Sequence, residues 1–243
     1  MATWAAMLVV CRGISLGGPG SSPTDALDLT VSPGEVCTIV GSSGSGKTRL
    51  CQLLSGVERP VHGVITVDGR DASDHPRGIR QRVTHVVPEA PLWPSRSTAS
   101  NLEYVLRLCG LPRPSDDEAI HALRLAEVPD RLFGAPSKEL RHFQRFGVWL
   151  AIHRLRQTPV LVMDDPFLKL TGAETERLAR LIQETVESGG CAVITSGSAD
   201  VPAAVAGHRY RIARGQLVSI KTPTSWLEDD ANMSPLPSPH QAL

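Results

Sequence analysis

Glu35-Val36-Cys37-Thr38-Ile39-Val40 runs into Gly41-Ser42-Ser43-Gly44-Ser45-Gly46-Lys47-Thr48, and that segment into Arg49-Leu50-Cys51-Gln52-Leu53-Leu54-Ser55. The first six residues are a short β-rich run of the kind buried on both faces of a parallel sheet. Lys47–Ser55 puts Leu50, Leu53 and Leu54 at helical spacing. Between the two, residues 41–48 fit G-x-x-x-x-G-K-[ST], in the strand–turn–helix context that pattern requires. Small residues let successive main-chain N–H groups curl into an anion-binding nest, and the helix start adds partial positive charge. Lys47 can then reach the β- and γ-phosphates of a nucleotide, while the Thr48 hydroxyl ligates Mg2+. Only 4 of the 25 basic residues are Lys, so its position in this loop is informative.

Working outward, Pro159–Met163 is a second buried run and ends in Asp164-Asp165-Pro166. A carboxylate at the C-terminal end of such a strand can hold a magnesium water shell beside the loop, which assigns that role to Asp164. Asp165 is the candidate for orienting the attacking water. Cys191–Thr195 reads as a third buried strand, and Thr175–Ser188 as a helix with Leu178, Leu181, Ile182 and Val186 on one face. This is βαβ logic. Val64–Val67 before Asp68-Gly69, and Tyr210–Ala213 before Arg214-Gly215, read as antiparallel hairpin pieces. The middle third is helical by pattern over Asn101–Leu108, Asp116–Ala126 and Leu140–Leu155, and Ser115 with Glu118 makes a capping box. Gly17–Pro23 reads as a flexible loop and Thr222–Leu243 as a disordered tail.

The chain has 243 residues with 25 basic against 25 acidic, 41% hydrophobic and 21% charged, which is globular usage. Zero net charge gives no general attraction to nucleic acid, and a single phosphate loop without a long coiled-coil arm also speaks against that partner. The 5 Cys are scattered and never spaced CxxC, so they read as buried thiols of a reducing compartment. The longest apolar run, Trp4–Cys11, is 8 residues against the ~20 needed to cross a bilayer, and reads as a first β-strand. With no basic residue ahead of that run, the expected location is cytoplasmic.

Taken with the loop and Asp164, several stretches resemble the nucleotide-binding domain of an ATP-binding cassette (ABC) ATPase over Leu8 to Ile220. They are Leu27–Glu35, Ser55–Pro60, Gly63 to Arg70, Leu92-Trp93-Pro94, Asn101-Leu102 and Arg214–Leu217. The resemblance implies an α/β P-loop NTPase: a RecA-like parallel core sheet with an antiparallel β subdomain and a helical subdomain insert. On that pattern, residues 1–87 hold the first part of the core with the antiparallel subdomain and phosphate loop, and 88–157 the helical subdomain. Residues 158–221 hold the second part of the core, and 222–243 the tail. The resemblance further implies ATP with Mg2+, and membrane-spanning permease subunits that place the protein on the inner face of the membrane. It also implies a second nucleotide-binding domain, closing face to face with this one.

Five further catalytic positions of the family are altered, and so is its adenine-stacking aromatic. The signature loop, L-S-G-G-Q in the family, aligns without gaps on Leu140-Arg141-His142-Phe143-Gln144; a rival alignment uses Ser137-Lys138-Glu139 and needs an insertion. Arg141, His142 and Phe143 put bulk where a backbone must approach a partner's phosphate closely. The Q-loop glutamine falls on Pro88 or Glu89, the switch histidine on Gly197 or Ser198, and the D-loop aspartate on Thr171. Gly17 to Pro19 occupy the place of the aromatic that stacks on adenine. The catalytic glutamate is Asp165, one methylene shorter, a retreat that can cost about 10²-fold in rate. A homodimer would build two defective composite sites, so a heterodimer with an intact partner is expected. The competing expectations are a nucleotide-binding regulatory or structural subunit with little hydrolysis, and a soluble P-loop kinase using Arg141, Arg145, Arg154 and Arg156.

Overall fold

The structure, a computed structural model, describes residues 7–16, 26–198, 201–205, 207–213 and 216–220. Ten strands and six α-helices occur among them. In chain order they are β1 (Val9–Ser15), β2 (Ala26–Val31), β3 (Val36–Val40), α1 (Lys47–Leu54), β4 (Val64–Val67), β5 (Arg70–Asp71), α2 (Pro76–Arg82) and β6 (Val83–Val86). There follow α3 (Thr98–Leu108), α4 (Asp116–Leu125), α5 (His142–Arg156), β7 (Val160–Asp164), α6 (Gly172–Glu187), β8 (Cys191–Ser196), β9 (His208–Ala213) and β10 (Gln216–Ser219).

Six strands form one sheet in the order β10-β9-β3-β8-β7-β6, parallel throughout except for the β9–β10 hairpin at its edge. Period-two alternation with both faces covered explains why its central strands β3, β7 and β8 are buried at every position and mostly apolar. Val36, Val40, Leu161, Met163, Ala192 and Ile194 face one core, shared with α3 to α6. Cys37, Ile39, Val160, Val162, Cys191 and Val193 face the other, shared with α1 and the second sheet. That second sheet is antiparallel, ordered β2-β1-β4-β5. Its β4–β5 turn uses Asp68 and Gly69, both left-handed at φ 47° and 73° as a tight hairpin of this type demands. Helices α3, α4 and α5 lie between β6 and β7 in the chain.

The strand and helix ends differ from the sequence reading in ways the local chemistry explains. The first strand starts at Val9 rather than Trp4, and residues 1–6 lie outside the described residues. Glu35 stays outside β3 because its carboxylate turns back to accept the Ser32 N–H at 2.8 Å. Helix α3 begins at Thr98, one turn before the apolar pattern, because Ser97 caps it by accepting the Ser100 N–H at 3.1 Å. Helix α5 begins at His142, since Leu140 is extended after a tight turn over Ser137–Glu139. Ser115 and Glu118 form the expected reciprocal cap on α4. Helix α2 and strand β6 had no counterpart in the sequence reading. The Gly17–Pro23 loop, the Arg214-Gly215 turn and the tail lie outside the described residues.

Candidate functional site

The loop from Gly41 to Gly46 joins the C-terminal end of β3 to the first turn of α1. It is hooked to the sheet by the Gly41 N–H, which donates to the Ser196 carbonyl at the end of β8, 3.2 Å away. A Cβ on Gly41 would lie 2.6 Å from Ser45 Oγ, so a larger residue there would have to turn the Ser45 hydroxyl aside. Gly46 enters the helix at φ 101°, under the side chain of Leu16, and its carbonyl accepts the Leu50 N–H at 2.9 Å. Lys47 folds back across the loop. Its Nζ donates to the Gly41 carbonyl at 2.7 Å and the Ser42 carbonyl at 2.9 Å, which leaves the residue 9% exposed.

Strand β7 delivers Asp164, which is buried. Asp164 is in register with Thr195 of β8, whose Oγ1 donates to Asp164 Oδ1 at 2.6 Å. Among the described residues nothing bonds Oδ2, and Asp164 lines the cavity beside the loop. Thr195 was not among the candidates read from sequence; its role depends on a strand register that no local pattern shows. The next residue, Asp165, adopts φ 48° and donates its N–H to Thr195, carbonyl at 3.1 Å and hydroxyl at 3.2 Å. Its own Oδ1 accepts the Gly197 N–H at 3.3 Å.

These elements enclose one cavity of about 570 Å³. It brings Lys47 and Thr48 together with Asp164 and Asp165, and with Pro88 and Gly197 from the expected Q-loop and switch positions. Arg49 and Gln52 also line it, beyond the motif the sequence offered. One wall carries an ammonium and small-residue backbone, and the facing wall carries two carboxylates. That is the donor set for a polyphosphate accompanied by a divalent cation.

The five signature-loop candidates stand elsewhere; none lines that cavity. Leu140 is buried, and Arg141 sits at the N-cap of α5 in extended conformation, exposed. Gln144 Oε1 accepts the Arg141 N–H at 2.9 Å, but an arginine side chain has no acceptor, so the reciprocal half of the cap is missing. Phe143 is buried, with the Arg177 guanidinium 4.9 Å above its ring. His142 stands edge-on to Phe146 at 5.0 Å, and its Nε2 is buried with no partner among the described residues. Desolvation, then the charges of Lys169 and Arg145, hold its pKa below the usual histidine value. Ser137, the rival serine, is buried and occupied: its Oγ donates to the Trp93 carbonyl at 2.7 Å and its N–H to the Arg96 carbonyl at 2.8 Å.

The family model described as "ABC transporter" matches residues 24–168. A methionine import ATP-binding protein of Rhodococcus jostii is 29% identical over 226 residues, which is 88% of this chain and 64% of that protein. A cytochrome c biogenesis ATP-binding export protein of Cupriavidus metallidurans is 30% identical over 70% of this chain and 80% of its own. The chain thus spans less than two thirds of the methionine protein's length. Two solved structures share the fold at low identity. One is a dimeric ATP-binding cassette bound to ADP and Pi in a post-hydrolysis state, at TM-score 0.72, 20% identity, 86% of this chain and 96% of its own. The other, from Clostridium perfringens, is part of an ABC transporter complex, at TM-score 0.77, 18% identity, 93% of this chain and 92% of its own.

Proposed function

The chain belongs to the ABC transporter family, and from that premise we propose that it is the ATP-binding subunit of a transporter, holding Mg-ATP on Gly41–Thr48. The observation that carries the reading is the cavity in which Lys47 faces Asp164 and Asp165. The Lys47 ammonium lies across the loop on the Gly41 and Ser42 carbonyls, where it would be within reach of phosphate oxygens held by the loop. The N–H groups of residues 42–48 and Lys47 would hold the phosphates. Thr48 and the free Oδ2 of Asp164 would hold Mg2+, which supplies charge neutralisation at the phosphate oxygens.

The partner side follows from the start of α5. Arg141, His142 and Phe143 replace the small residues through which a second cassette's phosphate would be met, while this chain's own phosphate loop is intact. One productive composite site therefore pairs this loop with the signature of a different, intact subunit, and membrane-spanning permease subunits complete the assembly at the inner face of the membrane. No helix among the described residues is long and apolar enough to cross a membrane. Relatives whose names say import and relatives whose names say export both match, so the direction of transport is left open.

A second reading, a regulatory or structural subunit that binds nucleotide with little hydrolysis, is favoured by one contact: Asp165 Oδ1 is engaged by the Gly197 N–H. Turnover measurements separate the two. On the transporter reading, the purified chain binds Mg-ATP but turns over well below ~1 s⁻¹ alone, the low end of ordinary enzyme rates. A partner cassette raises the rate, and Asp165→Asn removes the increase. Fast turnover by the chain alone contradicts the asymmetric arrangement, and stimulated turnover that is identical in Asp165→Asn strips Asp165 of its assigned role.

A further inference from the structure

At the opposite end of β7 and β8 from Asp164 and Ser196, a second cavity of about 480 Å³ opens between the last turns of α5 and α6 and one face of α4. His153 lines it, 5% exposed. A buried chain of hydroxyls fixes that histidine from behind. Arg156 Nη1 donates to Thr84 Oγ1 at 3.1 Å, Thr84 Oγ1 lies 2.8 Å from Thr158 Oγ1, and Thr158 Oγ1 lies 2.9 Å from His153 Nδ1.

The direction of this chain is decided by counting hydrogens. A guanidinium has no acceptor, so Thr84 must receive from Arg156. Among the described residues the only other neighbour of the Thr84 hydroxyl is Thr158, so its hydrogen goes there. The Thr158 hydrogen then goes to His153 Nδ1. A proton on Nδ1 would leave one hydroxyl hydrogen with no acceptor among the described residues: that of Thr84, fully buried, if the whole chain reverses, or that of Thr158 if both neighbours donate to it. Nδ1 is therefore an acceptor and the ring proton sits on Nε2. No described residue bonds Nε2, and it is not sealed from solvent, so it opens on the cavity the ring lines. Burial, with the charges of Arg156 and Arg154, holds the His153 pKa down to about 4, so the ring is neutral at physiological pH.

Beside it, Arg154 spends one nitrogen on Thr185, Nη2 to Oγ1 at 3.3 Å; its Nε is sealed from solvent, and no described residue bonds Nη1, which is the donor left for a molecule in the cavity. Some nearby acceptors, by contrast, are already taken. The Thr185 carbonyl receives from Ser188 Oγ, and the Val186 carbonyl from the Gly189 N–H. Glu118 Oε2 accepts from the N–H and hydroxyl of Ser115, and its Oε1 is bonded by no described residue. His153 and Arg154 line the cavity together with the apolar Ala122, Leu125, Leu155 and Pro159 and with Glu118 on α4.

We propose that this cavity binds a small carboxylate-bearing molecule, whose oxygens accept from His153 Nε2–H and from Arg154. Its volume lies within the range of small-molecule sites. The site is separate from the phosphate loop, and its test does not depend on nucleotide binding.

The test is nitrogen NMR of the histidine rings in the intact protein at neutral pH, with malonate as the probe. The His153 ring is expected to carry its proton on Nε2, and its signals to move saturably as malonate is added. Arg154→Gln, a change at a half-exposed position, is expected to weaken that response by about tenfold, as befits loss of one charged donor. Thr158→Val, which deletes the hydroxyl that selects the tautomer, is expected to admit the Nδ1–H form and weaken the response as well. Lys47→Ala leaves the His153 response in place, which separates this site from anion binding at the phosphate loop. An Nδ1–H ring in the unaltered protein overturns the assignment. So does a His153 signal indifferent to malonate, a response to inorganic phosphate but not to malonate, or an Arg154→Gln protein that responds like the parent.

Discussion

Replacing Lys47 by Met keeps the length and apolar stem of the side chain and removes only the ammonium. In the structure that charge is 2.7 and 2.9 Å from two carbonyls and largely withdrawn from water, so its field is directed into the cavity rather than dissipated. A unit charge about 4 Å from a phosphate oxygen, at an effective dielectric near 20, is worth about 4 kcal/mol. Loosening the two carbonyl bonds when the ammonium moves onto phosphate returns about 1 kcal/mol of that. The net loss of about 3 kcal/mol corresponds to a Kd for Mg-ATP roughly 10²-fold weaker. Equilibrium titration by calorimetry measures it, with urea unfolding in parallel to establish that Lys47→Met is folded. A folded variant whose Kd stays within about threefold of the parent would show that the ammonium does not face the phosphates.

Three further outcomes follow from the packing. His153 is held below its ordinary pKa of 6.5, at about 4, so the unfolded chain binds more protons between those values. Its contribution is fully present above pH 6.5 and is lost as pH falls toward 4, about 3 kcal/mol in all; urea unfolding across that window should be visibly flatter in His153→Gln, and an unchanged slope refutes the assignment. A Cβ on Gly147 would lie 2.6 Å from the Ala126 carbonyl and 3.0 Å from Val128, so Gly147→Ala should lower stability by about 1–3 kcal/mol, read from the urea midpoint. Thiol titration of the native protein should find Cys109 alone reacting quickly. Burial pushes Cys11 and Cys191 up to about 12 and raises Cys37 and Cys51 further, and a second fast native thiol contradicts that burial.

What could be read from the sequence was whatever repeats a short period. Strands β3, β7 and β8 are mostly apolar because both faces are covered, and α6 shows its stripe of Leu178, Leu181, Ile182 and Val186. The phosphate loop and the Asp68-Gly69 turn were legible because their backbone conformations demand particular residues. Helix α2 was not, since Ile79 is its one buried residue and no stripe forms. Strand β6 was hidden by Thr84 and His85, polar residues whose partners Thr158 and Ser55 lie 74 and 30 positions away. Thr195, which holds Asp164, and Arg49 and Gln52, which line the same cavity, escaped for a related reason. Their roles exist only once strands are in register and α1 is packed against them.

The altered signature segment also has a structural meaning beyond the loss of small residues. Phe143 is buried beneath Arg177, and His142 packs on Phe146, which is itself fully buried. Removing a buried aromatic ring of this kind typically costs 3–5 kcal/mol, so restoring glycine at 142 and 143 would open a void under α5 rather than merely clear a path to a phosphate. The start of α5 is built into the subdomain core, whereas the Gly41–Thr48 loop keeps every glycine its geometry needs. Within this one chain, then, residues 142 and 143 are committed to packing while Gly41–Thr48 borders an open cavity. On the function proposed above, a second subunit would supply the phosphate contact that the packed start of α5 does not offer.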